Sequence, residues 1–431
     1  MTNSHWISEL LGWALGTGAV VTTLLWGFVW GQVAQSMRLV PTLRRGQSLA
    51  ATDPPTGRVC VVVPAHNEAR VIAEFVRSLR METYPQLRVV LALDRCTDDT
   101  AALVRGGIAG DGRFEIIEID ACPDGWAGKV HAVHAGVTRS RGAQDAEYLL
   151  FADADTTFEP GCIAASLALM RERELDLLSL VSTLSHDTWF ERVVQTAAAL
   201  ELMRQYPLTR ANGLKDRRAF ANGQFMLFTR NAYDAVGGHA AVSGALLEDL
   251  ALARLVMDRR RNVGVFMAEG LLHCRMYANW AQFRRGWKRI YTEAADRRAS
   301  RLSVAAARVR SLGTVLPLWT LACGLYGALL ALRDIRTALP LLILWLVATL
   351  VWLGALLRIA AVAHAPPWTA PLHIVGAWLT GGLLNEAADD LRSRVPTQWG
   401  GREYDLVGEK VASARAVGEV GATTESTSAP H

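Results

Sequence analysis

Apolar runs long enough to cross a bilayer are the feature that most limits how this chain can fold. Three runs reach that length, and they are Leu10 to Gly31, Ser311 to Leu332 and Ala338 to Ala361. The first run lacks a basic start and a small-residue cleavage site, so we interpret it as an anchor and not as a removable signal peptide. A fourth run, Ala370 to Ala387, is shorter and carries His373 and Asn385. We expect this fourth run to be either a third C-terminal span or a re-entrant or interfacial segment.

The segment between the first and second runs has the pattern of an alternating β/α layer. Four apolar segments indicate parallel strands, and they are Val59 to Val63, Val89 to Leu93, Phe114 to Ile119 and Tyr148 to Phe151. A stretch with apolar residues at helical spacing, from Val71 to Leu79, follows the first of them. Open α/β sheets bind ligands beyond the carboxyl ends of their strands. The sequence therefore predicts a ligand site where these strands end.

Acidic residues follow two of the predicted strands. Asp94 ends the second strand, and Asp153 and Asp155 follow the fourth. Because residues i and i+2 at a strand end point to one side, the two carboxylates of Asp153 and Asp155 can converge on a hard cation. Such a cation, Mg²⁺ or Mn²⁺, can in turn hold a diphosphate. The alternative is that the pair only forms a turn with helix-capping acids.

Five further motifs accompany the aspartate pair in order along the chain. They are Pro64-Ala65-His66-Asn67-Glu68, Gly125-Trp126-Ala127-Gly128-Lys129, Ala221-Asn222-Gly223-Gln224, Gly237-Gly238-His239 and Arg275-Met276-Tyr277. Together they resemble the membrane-bound family 2 glycosyltransferases, from about Val59 to the C-terminal tail, and the pattern is closest to the hopanoid- and carotenoid-associated glycosyltransferases. The resemblance implies an α/β fold of the GT-A type, with a Rossmann-like, mostly parallel sheet in a catalytic domain flanked by transmembrane helices.

The resemblance also implies roles for individual residues. Contacts to a UDP- or GDP-linked sugar donor are expected from Pro64, His66, Glu68, Asp94, Lys129, Asp153, Arg284, Arg285 and Trp287. A Mg²⁺ or Mn²⁺ ion that binds the donor diphosphate is expected on Asp153 and Asp155. The acceptor side is expected to be lined, unless these side chains only pack, by Asn222, Gly223, Gln224, Glu248, Arg275 and Tyr277.

The family places its general base at an acidic pair, and Glu248-Asp249 matches that pair here. Asp249 would accept the proton of an acceptor hydroxyl as it attacks the anomeric carbon, while the metal stabilises the diphosphate charge. This implies inversion at the anomeric centre. Neighbours on a helix face different ways, so we expect Glu248 to have another role. The alternative is a helix N-terminus that favours acids through its dipole.

Three other features each have two interpretations. Lys129 could present its charge to the donor diphosphate or be an ordinary surface lysine. Residues Gln282 to Trp287 contain the components of a donor-closing motif found in processive members, with one residue inserted before the Trp. That departure argues against a polysaccharide synthase, and the stretch could instead be an amphipathic basic helix on the bilayer surface. His131 and His134 suggest zinc, but no other ligand cluster accompanies them, so we do not expect a zinc site.

Basic residues beside the apolar runs predict the orientation of the chain. Arg38, Arg44 and Arg45 follow the first run, and residues from Arg297 to Arg310 precede the second. The catalytic domain should therefore face the cytoplasm from a multi-pass protein of the inner membrane. The six cysteines imply no disulfide framework. A net charge of only +4 does not point to nucleic acid as a partner.

These features predict how the chain is divided. We expect an N-terminal anchor at 8–33, a linker at 34–57, the catalytic domain at 58–260, interfacial helices at 261–310, a transmembrane region at 311–388 and a tail at 389–431 that is disordered beyond about 407. In this tail, Trp399-Gly400-Gly401-Arg402-Glu403-Tyr404 resembles a terminal signature of related lipid glycosyltransferases. The role of that signature does not follow from its residues.

Three functions are compatible with these features: a lipid-directed glycosyltransferase, a processive polysaccharide synthase and a catalytically silent membrane scaffold. The interrupted closing motif and the small number of spans disfavour the synthase. The scaffold is disfavoured because Asp94, Asp153, Asp155 and Asp249 are all present. The sequence therefore predicts inverting transfer of a sugar from a nucleotide-diphosphate sugar to a hydroxyl of a membrane lipid, such as an isoprenoid, hopanoid, carotenoid or glycerolipid.

Overall fold

The computed structural model describes residues 3–213, 216–399 and 402–404. The strands are β1 Val59–Ala65, β2 Leu87–Asp94, β3 Phe114–Ile119, β4 Tyr148–Ala152, β5 Thr156–Phe158, β6 Leu177–Val181, β7 Thr183–Leu184, β8 Phe225–Thr229, β9 Val263–Met267, β10 Leu272–Cys274, β11 Thr397–Trp399 and β12 Arg402–Tyr404. The disorder expected beyond about residue 407, and the side chains of the terminal Trp399 to Tyr404 signature, lie outside the described residues.

The helices alternate with these strands and then continue beyond them. They are α1 Asn3–Leu39, α2 Leu43–Thr52, α3 Ile72–Met81, α4 Thr100–Ile108, α5 Gly128–Arg139, α6 Arg141–Gln144, α7 Cys162–Glu172, α8 Thr196–Gln205, α9 Leu208–Ala211, α10 Arg230–Ala235, α11 Glu248–Asp258, α12 Trp280–Ala294, α13 Ala299–Arg310, α14 Leu316–Ala331, α15 Ile335–Val362 and α16 His373–Arg392. Glu191–Gln195 and Ser311–Val315 are π-helical, and Gly238–Val242 and Pro367–Leu372 are 3₁₀ turns.

A seven-stranded sheet with the order β3-β2-β1-β4-β8-β6-β9 forms the centre of the molecule. The four predicted strands are all present and pair in parallel, while β8 runs antiparallel to both of its neighbours. β9 pairs in parallel with β6. Because β9 begins at Val263, the sheet extends past the domain boundary expected at residue 260. The α/β fold class with a mostly parallel sheet is confirmed.

Strand β1 is buried on both faces, which explains its unbroken apolar sequence. Val61 and Val63 pack in the core that also contains Phe75 of α3. Cys60 and Val62 face the opposite core, which includes Val130 and other residues of α5. A parallel strand covered by helices on both sides needs apolar side chains at every position and not at alternate ones.

A second layer of helices packs beside the sheet domain. Its core contains Phe283, Trp287 and Tyr291 of α12, together with residues of α8, α13 and α16. Two ion pairs tie α12 to α16, since Arg284 lies 2.7 Å from Glu386 and Lys288 lies 2.5 Å from Asp390. The fourth apolar run, Ala370 to Ala387, therefore lies mostly in a helix that packs on other helices of this layer.

Three segments among the described residues are long and apolar enough to cross a membrane, judged by length and composition. They are Trp6–Leu39, Ala299–Ala331 and Ile335–Val362. Residues of α1, α14 and α15 pack together through Leu15, Ala19, Cys323 and Ala348. Within this bundle Thr320 donates a hydrogen bond to Thr22, with 2.9 Å between the hydroxyl oxygens.

Candidate active site

Side chains from four elements meet at the carboxyl ends of the central strands. Asp153 and Asp155 follow β4, Lys129 lies in the first turn of α5, and Glu248 and Asp249 open α11. These elements converge because α5 packs across β1 and β2 and starts directly after the turn at Gly125, whose φ of +80° is in the left-handed region. The aspartate pair and the acidic pair, about 100 residues apart in the sequence, thus reach one site.

Lys129 joins the two acidic pairs. Its Nζ lies 2.7 Å from Oδ1 of Asp153 and 2.6 Å from Oε1 of Glu248. The Glu248 side chain is 4% exposed and the Lys129 side chain 18%, so this is a largely buried cluster. Burial lowers the pKa of Lys129, but the charges of Asp153 and Glu248 outweigh it and raise the pKa above its ordinary value. For Glu248 both effects have the opposite sign. Burial raises the pKa of Glu248, but the charge of Lys129 outweighs burial and lowers this pKa below its ordinary value. The surface-lysine interpretation of Lys129 is therefore wrong.

Asp249 lies beside this cluster and is held by the backbone. The amide of Gly223 donates a hydrogen bond to Oδ2 of Asp249 at 2.9 Å, and the amide of Leu250 donates to Oδ1 at 2.7 Å. A Cβ placed on Gly223 would lie 3.2 Å from Nζ of Lys129 and 3.3 Å from Oδ2 of Asp249. Burial, and next the charge of Glu248, raise the pKa of Asp249 to about 6.

Asp155 and Glu68 complete a group of carboxylates around Asp153. Burial, followed by the charge of Asp153, raises the pKa of Asp155 to about 7. The same two causes raise the pKa of Glu68 to about 7. In the described part of the chain, Oδ1 of Asp155 is buried and has no hydrogen-bond partner. The charge of Asp153 thus raises the pKa of both neighbouring acids, and one oxygen of Asp155 lacks a donor, so this group of carboxylates suits a cation.

The donor set fits a magnesium-like ion that takes further ligands from a substrate. Within residues 3–213, 216–399 and 402–404, no group of three or more His, Cys, Asp or Glu side chains is arranged to hold a metal ion. The chain thus offers the carboxylates of Asp153 and Asp155 and no closed cage. Mg²⁺ is commonly bound in this way, through one or two carboxylates and the phosphates of the substrate, with water in the remaining positions. His131 and His134 instead pack their rings against Trp126.

The expected nucleotide contacts lie along the ends of β1 and β2. Nδ1 of His66 lies 2.6 Å from the carbonyl oxygen of Asp94, which links the two strand ends. The carboxylate of Asp94 accepts two hydrogen bonds from the guanidinium of Arg95, at 2.9 Å and 2.6 Å. Arg95 itself has a φ of +47° and lies against Gly128 at the start of α5. Pro64 is half-buried at the end of β1.

The residues expected on the acceptor side have different surroundings. Asn222 and Gln224 hydrogen-bond each other, and they also bond Leu180 and Ser182 at the end of β6, an arrangement that favours a packing role. Gly223 lies against the cluster of Lys129, Asp153 and Glu248, and Glu248 is part of that cluster. The side chain of Arg275 pairs with Asp187, and its backbone amide donates to the carbonyl of Asp155 at 3.0 Å.

Helix α12 contributes differently from what its motif predicts. Arg284 pairs with Glu386 of α16, Arg285 is exposed, and Trp287 is buried in the helical layer. The phenol of Tyr277 lies against Gly286, where a Cβ would collide with it. The predicted donor contacts of Arg284, Arg285 and Trp287 remain untested by this arrangement.

Two residues of the site have no signal in the sequence motifs. Arg289, in α12, is close enough to Asp153 to lower the pKa of that carboxyl, against the larger effect of burial. Cys274, at the end of β10, is close enough to Asp155 to lower the pKa of that carboxyl, against the larger effect of burial. Arg289 stands in a run of basic residues and Cys274 ends a three-residue strand, so neither pattern distinguishes them from surface or core positions.

Known proteins resemble this chain in sequence. The family model for glycosyl transferase family 2 matches residues 60–237. A 4,4'-diaponeurosporenoate glycosyltransferase of Staphylococcus aureus (strain MRSA252) is 26% identical over 240 residues, which cover 54% of this chain and 61% of that relative. The chain thus spans about three fifths of the length of the curated relatives that it matches.

Two solved structures are similar at lower identity. Mannosyltransferase PcManGT from Pyrobaculum calidifontis, in complex with GDP-Man and Mn²⁺, has a TM-score of 0.43 at 18% identity and covers 89% of this chain and 99% of its own. TarS 1-349 of S. aureus, in complex with UDP-GlcNAc, has a TM-score of 0.39 at 13% identity and covers 82% of this chain and 97% of its own.

The family match includes the strands that carry Asp94 and Asp153 and the motif that carries Lys129. The resemblance inferred from the motifs is therefore confirmed for this part of the chain. Residues 60–237 match glycosyl transferase family 2.

Proposed function

We propose that this chain is an inverting glycosyltransferase. In this proposal it moves a sugar from a nucleoside diphosphate to a hydroxyl group of a membrane lipid at the cytoplasmic face. The observation that carries the proposal is the position of Asp249, whose carboxylate lies against Gly223 beside the cluster of Lys129, Asp153 and Glu248. In this proposal the proton acceptor and the leaving-group contacts thus belong to one cluster of side chains.

Asp249 has the properties that a general base needs near neutral pH. With a pKa raised to about 6, it is ionised at pH 7 yet more basic than an ordinary aspartate. The two backbone amides that bond it fix its orientation. In direct displacement the acceptor oxygen attacks the anomeric carbon, the bond to the diphosphate oxygen breaks, and the acceptor proton passes to Asp249. One displacement of this kind inverts the anomeric configuration.

Lys129, Asp153 and Asp155 serve the leaving group in this proposal. Asp153 and Asp155 would hold a divalent ion, Mg²⁺ or Mn²⁺, which when bound stabilises the negative charge of the diphosphate. Lys129 lies beside Asp153, and its raised pKa keeps its ammonium group charged. Glu248 holds Lys129 in place and raises the pKa of Asp249, so that it acts on the base without taking the proton itself.

A lipid acceptor and a cytoplasmic site are supported by how the domain is attached. Three apolar segments of bilayer length flank the sheet domain, and basic residues from Arg297 to Arg310 lie at the start of the second. A catalytic domain anchored on both sides meets lipid acceptors without their leaving the bilayer. The curated relative is, by its name, a glycosyltransferase of 4,4'-diaponeurosporenoate.

The ending of that name denotes a carboxylate, so it favours a second class of acceptor, an apolar carboxylic acid. A carboxylate is already deprotonated at neutral pH, so its attack on the anomeric carbon requires no general base. The two acceptors therefore differ in their need for Asp249. The product differs as well, because transfer to a carboxylate gives a glycosyl ester, which alkali hydrolyses, whereas transfer to a hydroxyl gives an alkali-stable glycoside.

The proposal can be tested with the purified full chain in detergent. It would be incubated with Mn²⁺, a total lipid extract and radiolabelled UDP- and GDP-linked sugars in turn. We expect label in an organic-soluble product that survives mild alkali, and loss of that product in Asp249→Asn. Asp258→Asn, an exposed acid at the far end of the same helix, is the matched control. An alkali-labile product would favour the carboxylic acid, and a large water-soluble polymer would contradict lipid transfer.

A further inference from the structure

A pocket outside the active site is lined by four arginines. It has a volume of about 360 Å³ and lies between α8 and α13. We call it the basic pocket, and its arginines are Arg204, Arg218, Arg301 and Arg308. The residues that we assign to the donor, the metal and the base do not line it. It is therefore separate from the site of sugar transfer.

The acids around the basic pocket do not neutralise its charge. Glu201, which is buried, is shared between two guanidiniums, with Arg204 at 3.0 Å and Arg308 at 2.7 Å. Arg301 pairs with Asp296 at 2.6 Å, and Asp296 also lies 3.8 Å from Arg254. Four lining arginines thus face two carboxylates, one of which is shared with a further arginine. The pocket has an excess of about two positive charges, since arginine stays protonated in proteins.

One donor group beside the basic pocket has no acceptor in the described part of the chain. Nε of Arg308 is buried and, among the residues that the structure describes, has no hydrogen-bond acceptor. The guanidinium of Arg218 lies 4.5 Å from the ring centroid of Tyr206, which holds the arginine in place through a cation–π contact. Planar guanidiniums fixed in this way match the oxygens of a phosphate group.

The position of the basic pocket places it at the depth of lipid headgroups. Helix α13 continues through the π-helical turn Ser311–Val315 into the apolar helix α14. Arg308 is three residues before that turn, roughly 5 Å along the helix axis. Arg310 lies 4.5 Å from the ring of Trp378, which is 50% exposed, and such aromatic residues are typical of the membrane interface. Val304, 64% exposed, adds an apolar wall to the pocket.

We propose that the basic pocket binds the phosphate of an anionic phospholipid headgroup, with the acyl chains directed along α13 and α14 into the bilayer. The excess positive charge, the free guanidinium donor and the apolar wall next to a membrane span all match such a lipid. This site is independent of sugar transfer, so its failure would leave the proposed function intact. Binding of the lipid would fix the height of α13, and with it the catalytic domain, relative to the membrane surface.

The test measures lipid binding by the full chain in detergent through native mass spectrometry. The probes are dioctanoylphosphatidylglycerol, which is anionic, and dioctanoylphosphatidylcholine, which is zwitterionic, with inorganic phosphate as a competitor. We expect saturable binding of the first lipid and at least tenfold weaker binding of the second. The variant Arg218→Gln/Arg301→Gln changes two exposed arginines of the pocket that do not pair with the buried Glu201, so that Glu201 stays paired with Arg204 and Arg308. It should weaken binding of the anionic lipid at least tenfold.

The matched control is Arg333→Gln, an exposed arginine beside the opposite end of α14. It removes one charge next to the same helix and should bind the anionic lipid as the unchanged chain does. Equal binding of the anionic lipid by the double variant and the control would overturn the proposal. Displacement of the lipid by inorganic phosphate at equal concentration would also overturn it, because it would identify a soluble phosphate as the ligand. Arg308→Gln, in which Glu201 keeps its ion pair with Arg204, provides a second variant with the same expected loss.

Discussion

The two ion pairs of Lys129 make this residue a structural support, in addition to the donor contact that we propose for it. Removing its charge in Lys129→Met would leave the buried carboxylate of Glu248 without a cation, which should cost about 3–5 kcal/mol of folding free energy. Thermal unfolding in detergent at neutral pH measures this loss. Lys288→Met removes an ion pair that is partly exposed, so we expect about 1 kcal/mol or less. Adding Glu248→Gln to Lys129→Met should restore stability, and a double variant less stable than Lys129→Met would contradict the pairing.

The role of Asp249 as the base predicts a specific kinetic defect. Asp249→Asn keeps the shape and the bond from Gly223 but cannot take a proton, so turnover with a hydroxyl acceptor should fall by roughly 10²–10⁴-fold. Binding of the nucleotide sugar, measured by isothermal titration calorimetry with Mn²⁺, should stay within about threefold of the unchanged chain. Full turnover in this variant would remove Asp249 from the mechanism.

The raised pKa of Asp249 predicts an acid limb in the pH–rate profile. A general base works only when ionised, so kcat/KM should fall below pH 6, about tenfold per pH unit. The charge of Glu248 helps to raise this pKa, and Glu248→Gln should therefore move the limb to lower pH. The profile would be recorded at saturating Mn²⁺, so that metal binding does not contribute. A limb that stays in place in Glu248→Gln would show that another group controls it.

The site residues could be predicted where they end a strand, and much less where only folding brings them together. Asp94 and Asp153 follow apolar strands, and the carboxyl ends of parallel strands meet at one edge of a sheet, so their neighbourhood follows from the pattern. The bridge from Lys129 to Glu248 depends on how α5 and α11 approach each other, which no local pattern encodes. Arg289 reaches the site for the same reason, from a helix whose other basic residues face α16 or solvent.

At the scale of elements, the strands and the first helices were predictable because burial dictates their sequence. In the structure, β1 and β2 are two or three residues longer than predicted. The apolar pattern missed these residues because the ends of the strands contain both buried and more exposed positions. The sheet continues past the boundary expected at residue 260, because β9 pairs with β6, which lies in an earlier part of the chain. A five-residue apolar strand far from its partner has no signal that distinguishes it from a short core segment.

Helix α16 supplies the prediction that tests the packing of the helical layer. A Cβ at Gly376 would collide with the backbone carbonyl of Val193, which cannot move aside as a side chain could. Gly376→Ala should therefore destabilise the protein by about 1–3 kcal/mol, despite the better helix propensity of alanine. A Cβ at Gly382 would meet only the end of the Arg310 side chain, at 3.5 Å. Gly382→Ala should thus be neutral or stabilising by up to about 1 kcal/mol. Equal thermal midpoints for the two variants would contradict this contact.

For the whole molecule, the packing of α16 decides on which side of the membrane the chain continues. Helices α14 and α15 are joined by 332–334 and return the chain to the side of the sheet domain, if both cross the bilayer. Pairing of α16 with α12 through Glu386 and Asp390 then keeps the following residues on that same side. The sequence of the shorter fourth run is compatible with a further membrane crossing, because its apolar residues fit a bilayer and a protein core equally well. The contacts of α16 with α8, α12, α13 and the π-helical turn Glu191–Gln195 favour the core.

Cysteine labelling in a bacterial expression host tests this topology. In a Cys96→Ala background, which removes the one half-buried native thiol and leaves the five buried ones, single cysteines would be placed at Ser48, Arg333 and Ser393. All three positions are exposed and lie in α2, between α14 and α15, and after α16. A maleimide that does not cross membranes should label Arg333→Cys in intact cells, and Ser48→Cys and Ser393→Cys only in inverted vesicles. Labelling of Ser393→Cys in intact cells would mean that α16 crosses the bilayer, and its ion pairs with α12 could not then form in the membrane-bound protein.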